Sequence, residues 1–130
     1  TNFIVAIKSL AILANEKKLV TSSTLTEKLN VESSFIRKVL AKLIQEKMVE
    51  GFEGRYGGYK LVVNPEKTTL YDVYAAIVKD AHPTKMDKEI DEMDQIILDI
   101  LLEAQHKIKD VLSQYTINDL ANGSIKGNLF

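Results

Sequence analysis

Met48-Val-Glu-Gly-Phe-Glu-Gly-Arg-Tyr-Gly-Gly-Tyr-Lys-Leu61 is the stretch on which the fold turns. Two apolar, alternating arms, Met48 to Phe52 and Tyr59 to Val63, flank a tip that holds Gly54, Gly57 and Gly58. Arms of this kind around a glycine-bearing tip predict a β-hairpin with a short, twisted loop. The tip also carries Arg55. Glycines without Cβ atoms let a ligand come close to the backbone, and one long cation beside them suits a polyanion. The hairpin follows directly on two short amphipathic segments, and that order gives it meaning.

Upstream, Phe3 to Asn15 has apolar residues at helical spacing, with a wide face to bury. Glu16-Lys17-Lys18 is a polar break, and Leu19-Val20 predicts a brief edge strand. Thr21-Ser22-Ser23 offers N-cap hydroxyls for a short helix through Leu29, with Leu25 and Leu29 as its core contacts. Asn30 tolerates the left-handed conformation that a tight helix–helix corner needs, and Val31 packs into that corner. A second helix is expected from about Ser33 to Lys47, with Phe35, Ile36, Val39, Leu40, Leu43 and Ile44 as its apolar stripe. Its other face shows Ser34, Arg37, Lys38, Ala41, Lys42 and Gln45. Two short helices and a tight corner make a helix-turn-helix, and the hairpin that follows makes it winged. Asn64-Pro65 ends the second wing strand, since Pro cannot continue the ladder.

Downstream, Thr69-Leu-Tyr-Asp72 is a variant capping box with Asp in place of Glu. It opens a helix to about Lys79, with Leu70, Val73, Tyr74 and Ile77 facing the core. His82-Pro83 breaks the pattern, and residues 84–95 read as a solvated connection or the frayed start of the next helix. A long helix then runs from Ile90 or Asp94 to Tyr115. Ile97, Leu101, Ala104, Ile108, Val111 and Tyr115 form a heptad seam over about three repeats, widened by Ile96, Ile100 and Leu112. A helix this apolar on more than one side must touch two things, its own domain and a second copy. Thr116-Ile-Asn-Asp119 caps a final turn ending at Asn122-Gly123.

Composition sets limits on function. The 130 residues are enough for one compact domain with an appended arm. There is no apolar run long enough for a transmembrane helix and no recognisable signal peptide, so the cytosol is the expected setting. The chain has no cysteine, which removes disulfides, thiol switches, cysteine-ligated zinc and iron–sulfur clusters. The net charge of −1 hides an asymmetry. Residues 1–67 hold eleven Lys or Arg against seven Asp or Glu, and residues 68–130 hold six against eleven. The local field of a basic front half, rather than total charge, steers an anionic partner. Glu103-x-x-His106 has carboxylate–histidine metal spacing but lacks the further acidic ligands such a site takes from other helices. It reads better as surface on an interface helix. No nucleophile–base arrangement and no phosphate loop stands out, so an enzyme is not expected.

Three segments resemble the Rrf-two family of bacterial winged-helix transcription regulators. They are Leu25 to Leu43, the wing Gly54-Arg-Tyr-Gly-Gly-Tyr-Lys-Leu61, and Thr69-Leu-Tyr-Asp-Val-Tyr-Ala-Ala-Ile77. The wing is similar to the family signature of Gly, two variable residues, then Gly-Gly-Tyr-x-Leu. With the long helix, the resemblance spans nearly the whole chain, and the closing Asn128-Leu-Phe130 looks like its small cysteine-free branch. The resemblance implies a fold that is mainly α with a small β-hairpin. Residues 1–79 would form a winged helix-turn-helix DNA-binding domain, 80–95 an acidic connection, and 96–130 a dimerisation helix and tail. Two positions depart from the family. Glu53 stands where an Arg is usual, so either wing contact passes to Arg55 or the wing contributes less. Residues 80–95 lack the three cysteines of the cluster-binding members, so no cofactor is expected.

In such an architecture the N-terminal residues of the second helix reach base edges in the major groove. Ser33, Ser34, Arg37 and Lys38 are the candidates, with Arg37 suited to guanine O6 and N7. Lys42, Lys28 and Lys8 are expected on phosphates, Arg55 in or beside the minor groove, and Tyr56 bracing the wing or touching sugar–phosphate. The expected partners are double-stranded DNA, a second copy along Ile97, Leu101, Ala104, Ile108, Val111 and Tyr115, and an unspecified small-molecule effector. The function expected is that of a homodimeric regulator, a repressor rather than an activator. The alternatives are a winged-helix adaptor for another protein, or a small-molecule sensor with weak or no DNA binding.

Overall fold

Local signals in the sequence place the elements, and a shared core then holds them. The computed structural model describes residues 2–78 and 89–123. The expectations on His82-Pro83, on most of the acidic connection and on the closing tail lie outside those residues. Six helices and one hairpin follow in order: α1 (Asn2–Ala14), α2 (Ser22–Leu29), α3 (Ser33–Gln45), β1 (Val49–Phe52), β2 (Gly58–Leu61), α4 (Leu70–Val78), α5 (Glu92–Leu112) and α6 (Ile117–Ala121). The fold is therefore mainly helical with a small wing, as the sequence predicts.

The core is built from α1, α2, α3, the root of the hairpin, α4 and α6. Ala6, Leu10, Leu25, Ile36, Leu40, Leu43, Val73 and Ile117 are buried at its centre. Each of the Leu, Ile and Val side chains among them contributes about 1.5–3 kcal/mol by leaving water. Ile44, expected within the α3 stripe, is 39% exposed. It sits beside the hairpin, where a Cβ on Gly51 would lie 3.3 Å from Ile44 Cδ1.

Helix α3 ends two residues earlier than its apolar spacing suggests. Lys47 adopts φ 61, and the amides of Lys47 and Met48 donate to the carbonyls of Ile44 and Leu43. This pair of bonds is a Schellman stop, made with Lys where Gly is commoner. It turns the chain straight into β1. The strands pair antiparallel with Phe52 opposite Gly58 and Glu50 opposite Lys60. They are offset by a residue from the arms read in the sequence, and Val62 and Val63 fall beyond β2.

The caps behave as their residue types demand. Thr69 and Asp72 close a reciprocal box at α4, with bonds of 2.9 and 3.1 Å. Thr116 and Asp119 do the same at α6. Asp91 and Asp94 form a third box, so α5 begins at a fixed start rather than a frayed one. Helix α5 stops at Leu112. Tyr115, expected as the last residue of the heptad seam, lies beyond that end. The chain must turn there to start α6, and the Tyr115 carbonyl accepts the amide of Leu70 at 2.9 Å.

Helix α6 then runs back onto α1. The Thr69–Thr116 bridge, the Ile117 amide on the Thr68 carbonyl at 3.0 Å and the Asn15 side-chain amide on the Ala121 carbonyl at 2.9 Å hold it there. Ile117 enters the core completely.

Candidate nucleic-acid interface

The helix pair is set by its two corners. Thr21 Oγ1 accepts the amide of Thr24 and starts α2, and Asn30 at φ 53, ψ 49 ends it in the left-handed region. Two residues later Glu32 caps α3 through its backbone alone, with no side-chain capping bond. No side chain caps the first turn of α3, where the amides of Phe35 and Ile36 both donate to the Glu32 carbonyl at 3.1 Å. Because Ile36, Val39, Leu40 and Leu43 are drawn into the core, the helical repeat leaves Ser33, Ser34, Arg37 and Lys38 on the exposed face. Lys42 is half-buried. Lys38 and Lys42 line a recess of about 280 Å³ with Phe35, Val39, Asn2 and Ile77, so their stems pack on apolar surface.

The wing is tied to this helix pair rather than hanging from it. Val20 and Tyr59 exchange both backbone bonds, at 3.0 and 2.8 Å, one residue before the α2 cap. This is the brief edge strand read at Leu19-Val20. Gly58 is required at the joint, because a Cβ there would meet the Val20 carbonyl at 2.9 Å. The tip closes with the Gly57 amide on the Gly54 carbonyl at 3.0 Å. A Cβ on Gly57 would lie 2.1 Å from the Phe52 carbonyl oxygen, so any larger residue must move the backbone. Arg55 is exposed with its guanidinium 5.8 Å from the Tyr56 ring centre, and Tyr56 is 84% exposed.

Between the wing and the start of α2 lies an open cleft of about 510 Å³. Thr21, Ser22, Gly51, Gly54, Gly57 and Glu53 are among its lining residues. The sequence marked Thr21 and Ser22 only as helix caps. Their place beside the wing glycines depends on the Val20–Tyr59 bridge, which joins residues far apart in the chain. Glu53 faces the same cleft and opposes any phosphate there.

The structure does not gather every expected phosphate contact onto this face. Lys28 is half-exposed and 3.8 Å from Glu16, an ion pair that an incoming phosphate has to displace. Lys8 lines a groove of α1 with Leu120 and Ala121 of α6, not the recess or the cleft described above. Lys60, not singled out in the sequence, is exposed with its ammonium 5.4 Å from the Phe52 ring centre.

Helix α5 stands apart from all of this. None of its 21 residues is buried. Met93, Ile96, Ile97, Ile100, Leu101, Leu102 and Val111 are 45% to 70% exposed. Of the expected seam, Ile97, Leu101, Ala104 and Val111 are exposed and Ile108 and Tyr115 half-buried. Its contact with the body runs through its C-terminal half, where the Lys109 ammonium lies 5.7 Å from the Tyr71 ring centre. No described helix is long and apolar enough to cross a membrane, so this exposed face is not a bilayer span.

A family model described as Rrf2, iron-dependent transcriptional regulator, matches residues 1–123. BadM of Rhodopseudomonas palustris, assigned as an HTH-type transcriptional regulator, is 30% identical over 66 residues, 51% of this chain and 42% of its own. YwgB of Bacillus subtilis, assigned likewise, is 35% identical over 57 residues, 44% of this chain and 36% of its own. The chain thus spans less than half the length of these two relatives. The solved structure of T. potens IscR superposes with a TM-score of 0.74 at 17% identity, covering all of this chain and 90% of that one. At that identity the superposition speaks to the fold alone. Among the described residues the iron in the family description finds no matching donor set. The chain has no cysteine, and no group of three or more His, Asp or Glu among the described residues is placed to hold a metal ion.

Proposed function

The chain belongs to the Rrf2 family of transcriptional regulators, and from that premise we propose that it is a homodimeric, cytoplasmic DNA-binding repressor. The family is one of regulators, not enzymes. The observation that carries the finer reading is the pairing of two helices. Helix α3 is anchored in the core with its polar face bare, while α5 buries none of its residues.

In this reading Ser33, Ser34, Arg37 and Lys38 enter the major groove. Arg37 reads guanine through two hydrogen bonds, and Lys42 and Lys28 meet phosphates. The wing lies alongside, with Arg55 at the narrower groove and Tyr56 against sugar–phosphate. A second copy packs on α5 along Ile97, Leu101, Ala104 and Val111. Met93 and Ile100 extend the same side in steps of four and three. A two-fold dimer places its two reading helices about 34–36 Å apart, one turn of DNA, and so selects a palindromic site. Occupying such a site excludes other proteins from it, which makes repression the simplest output.

Binding to DNA from the chain's own promoter region, titrated with salt, tests the proposal. Affinity should fall steeply and linearly in log–log terms as phosphates recover their counterions. A flat response, or no binding to any duplex at low salt, would overturn it. Glu53 in the wing cleft favours one other reading, an adaptor that binds a protein with this surface. Co-purification of a protein partner with no retained nucleic acid would support that reading instead.

A further inference from the structure

We propose that Glu53 sets the sequence preference of the wing: its carboxylate accepts a hydrogen bond from the exocyclic amino group of guanine in the minor groove, and so selects G·C over A·T pairs. The inference rests on the DNA-binding reading and names what the wing reads.

Glu53 follows β1 directly after Phe52 and is exposed at the base of the tip. Arg55 comes two residues later, inside the turn that the Gly57 amide closes on the Gly54 carbonyl. A carboxylate and a guanidinium therefore share the tip, and they do not pair. Among the described residues the Glu53 carboxylate has no ion-pair or hydrogen-bond partner, while the Arg55 guanidinium rests 5.8 Å from the Tyr56 ring centre. Gly54 between them has no side chain, and a Cβ built there would meet nothing within 4 Å. Nothing on Gly54 shields the carboxylate from a ligand that the tip approaches.

The groove treats the two charges differently. A narrow minor groove concentrates negative potential, which draws Arg55 in and pushes Glu53 out. The two effects oppose each other, so the hydrogen-bond pattern decides. A·T and T·A present only acceptors in this groove, and G·C adds one donor, the guanine amino group. Arg55 finds acceptors on every pair. A carboxylate only accepts, so over A·T it gives up water and gains no donor. Over G·C the amino group satisfies it. A Glu53 turned instead toward a phosphate, in the cleft beside α2, would weaken all duplexes alike.

The test uses the intact chain and duplexes of the promoter site that it protects from cleavage. The minor grooves under the two wings are filled in turn with A·T, G·C, inosine·C and diaminopurine·T pairs. Inosine lacks the amino group of guanine, and diaminopurine adds it to adenine. G·C and diaminopurine·T duplexes should bind about tenfold tighter for each wing than the other two, as one hydrogen bond to a charged group allows. Glu53→Ala removes the acceptor, and Glu53→Gln offers both a donor and an acceptor. Each should level the four affinities, with melting of the free protein unchanged. Equal affinity of the parent for all four, or a G·C preference that inosine·C shares, overturns the proposal. So does a Glu53→Ala variant that binds all four more tightly by one common factor, the mark of a carboxylate facing phosphate. Binding without discrimination defeats this inference alone; binding to no duplex at low salt defeats the DNA-binding reading and this inference with it.

Discussion

Helix α3 spends its apolar stripe inside the chain, and α5 keeps its apolar stripe outside. Both are amphipathic, and both were legible from spacing alone. Ile36, Val39, Leu40 and Leu43 of α3 are 0–3% exposed, while α5 buries nothing over 21 residues. The difference teaches that helical periodicity reports that a face must be covered, not by what. For α3 the cover is α1, α2, β1 and α4 of its own chain. The described residues leave α5 uncovered, and in the reading proposed above a second copy covers it. An isolated helix with this much exposed Ile, Leu and Val has little reason to hold its shape in water. On this view α3 should answer to substitutions in the manner of a core, and α5 in the manner of an interface.

The largest expected effect is on α5. Ile100→Asp places a carboxylate on the exposed face in both copies at once. Losing two buried isoleucines costs about 3–6 kcal/mol per dimer before any charge repulsion. Sedimentation should show a monomer at concentrations where the parent is dimeric, with the helical signal of the body retained. An unchanged dimer would mean that this face is not the interface.

Leu40→Ala in α3 should instead lower stability by about 2–5 kcal/mol, the range for emptying a core site. Denaturant unfolding measures it. A loss under 1 kcal/mol would show that the stripe is less tightly held than its burial implies. Arg37→Ala comes next and should separate the two faces of α3. It removes about 1–3 kcal/mol of specific DNA binding and leaves folding and dimerisation unchanged. An operator preference identical to the parent's would remove Arg37 from the reading set. Asp91→Ala is the smallest. It deletes one half of the α5 capping box and should cost about 1 kcal/mol, seen as extra amide exchange confined to the first turn of that helix. Exchange that spreads along all of α5 would mean the helix depends on its cap more than on a partner.

The features legible in the sequence are those set by short-range signals. Asn30 in the left-handed region, the Thr69–Asp72 and Thr116–Asp119 boxes, and the glycines of the wing each act within a few residues. What the sequence leaves unread is of two kinds, a local stop made by an unusual residue and contacts that cross the chain. The apolar spacing of α3 runs past its end because Lys47, not Gly, makes the stop. Tyr115 fits the heptad spacing, yet α5 ends at Leu112 and the turn into α6 leaves it outside the helix. Charge alone suggests Lys8 as a phosphate contact, and the return of α6 places it beside Leu120 and Ala121, away from the recess and the wing cleft.

The sequence by itself determined the order of elements, the helix-turn-helix corner, the wing and the caps. Backbone preference and periodicity act locally and leave local marks. Only the tertiary structure decided that Ile117 belongs to the core of the front half, that the Val20–Tyr59 bridge fixes the wing against α2, and that α5 is left bare. Burial depends on which distant segment arrives, and no stretch of sequence carries that information alone.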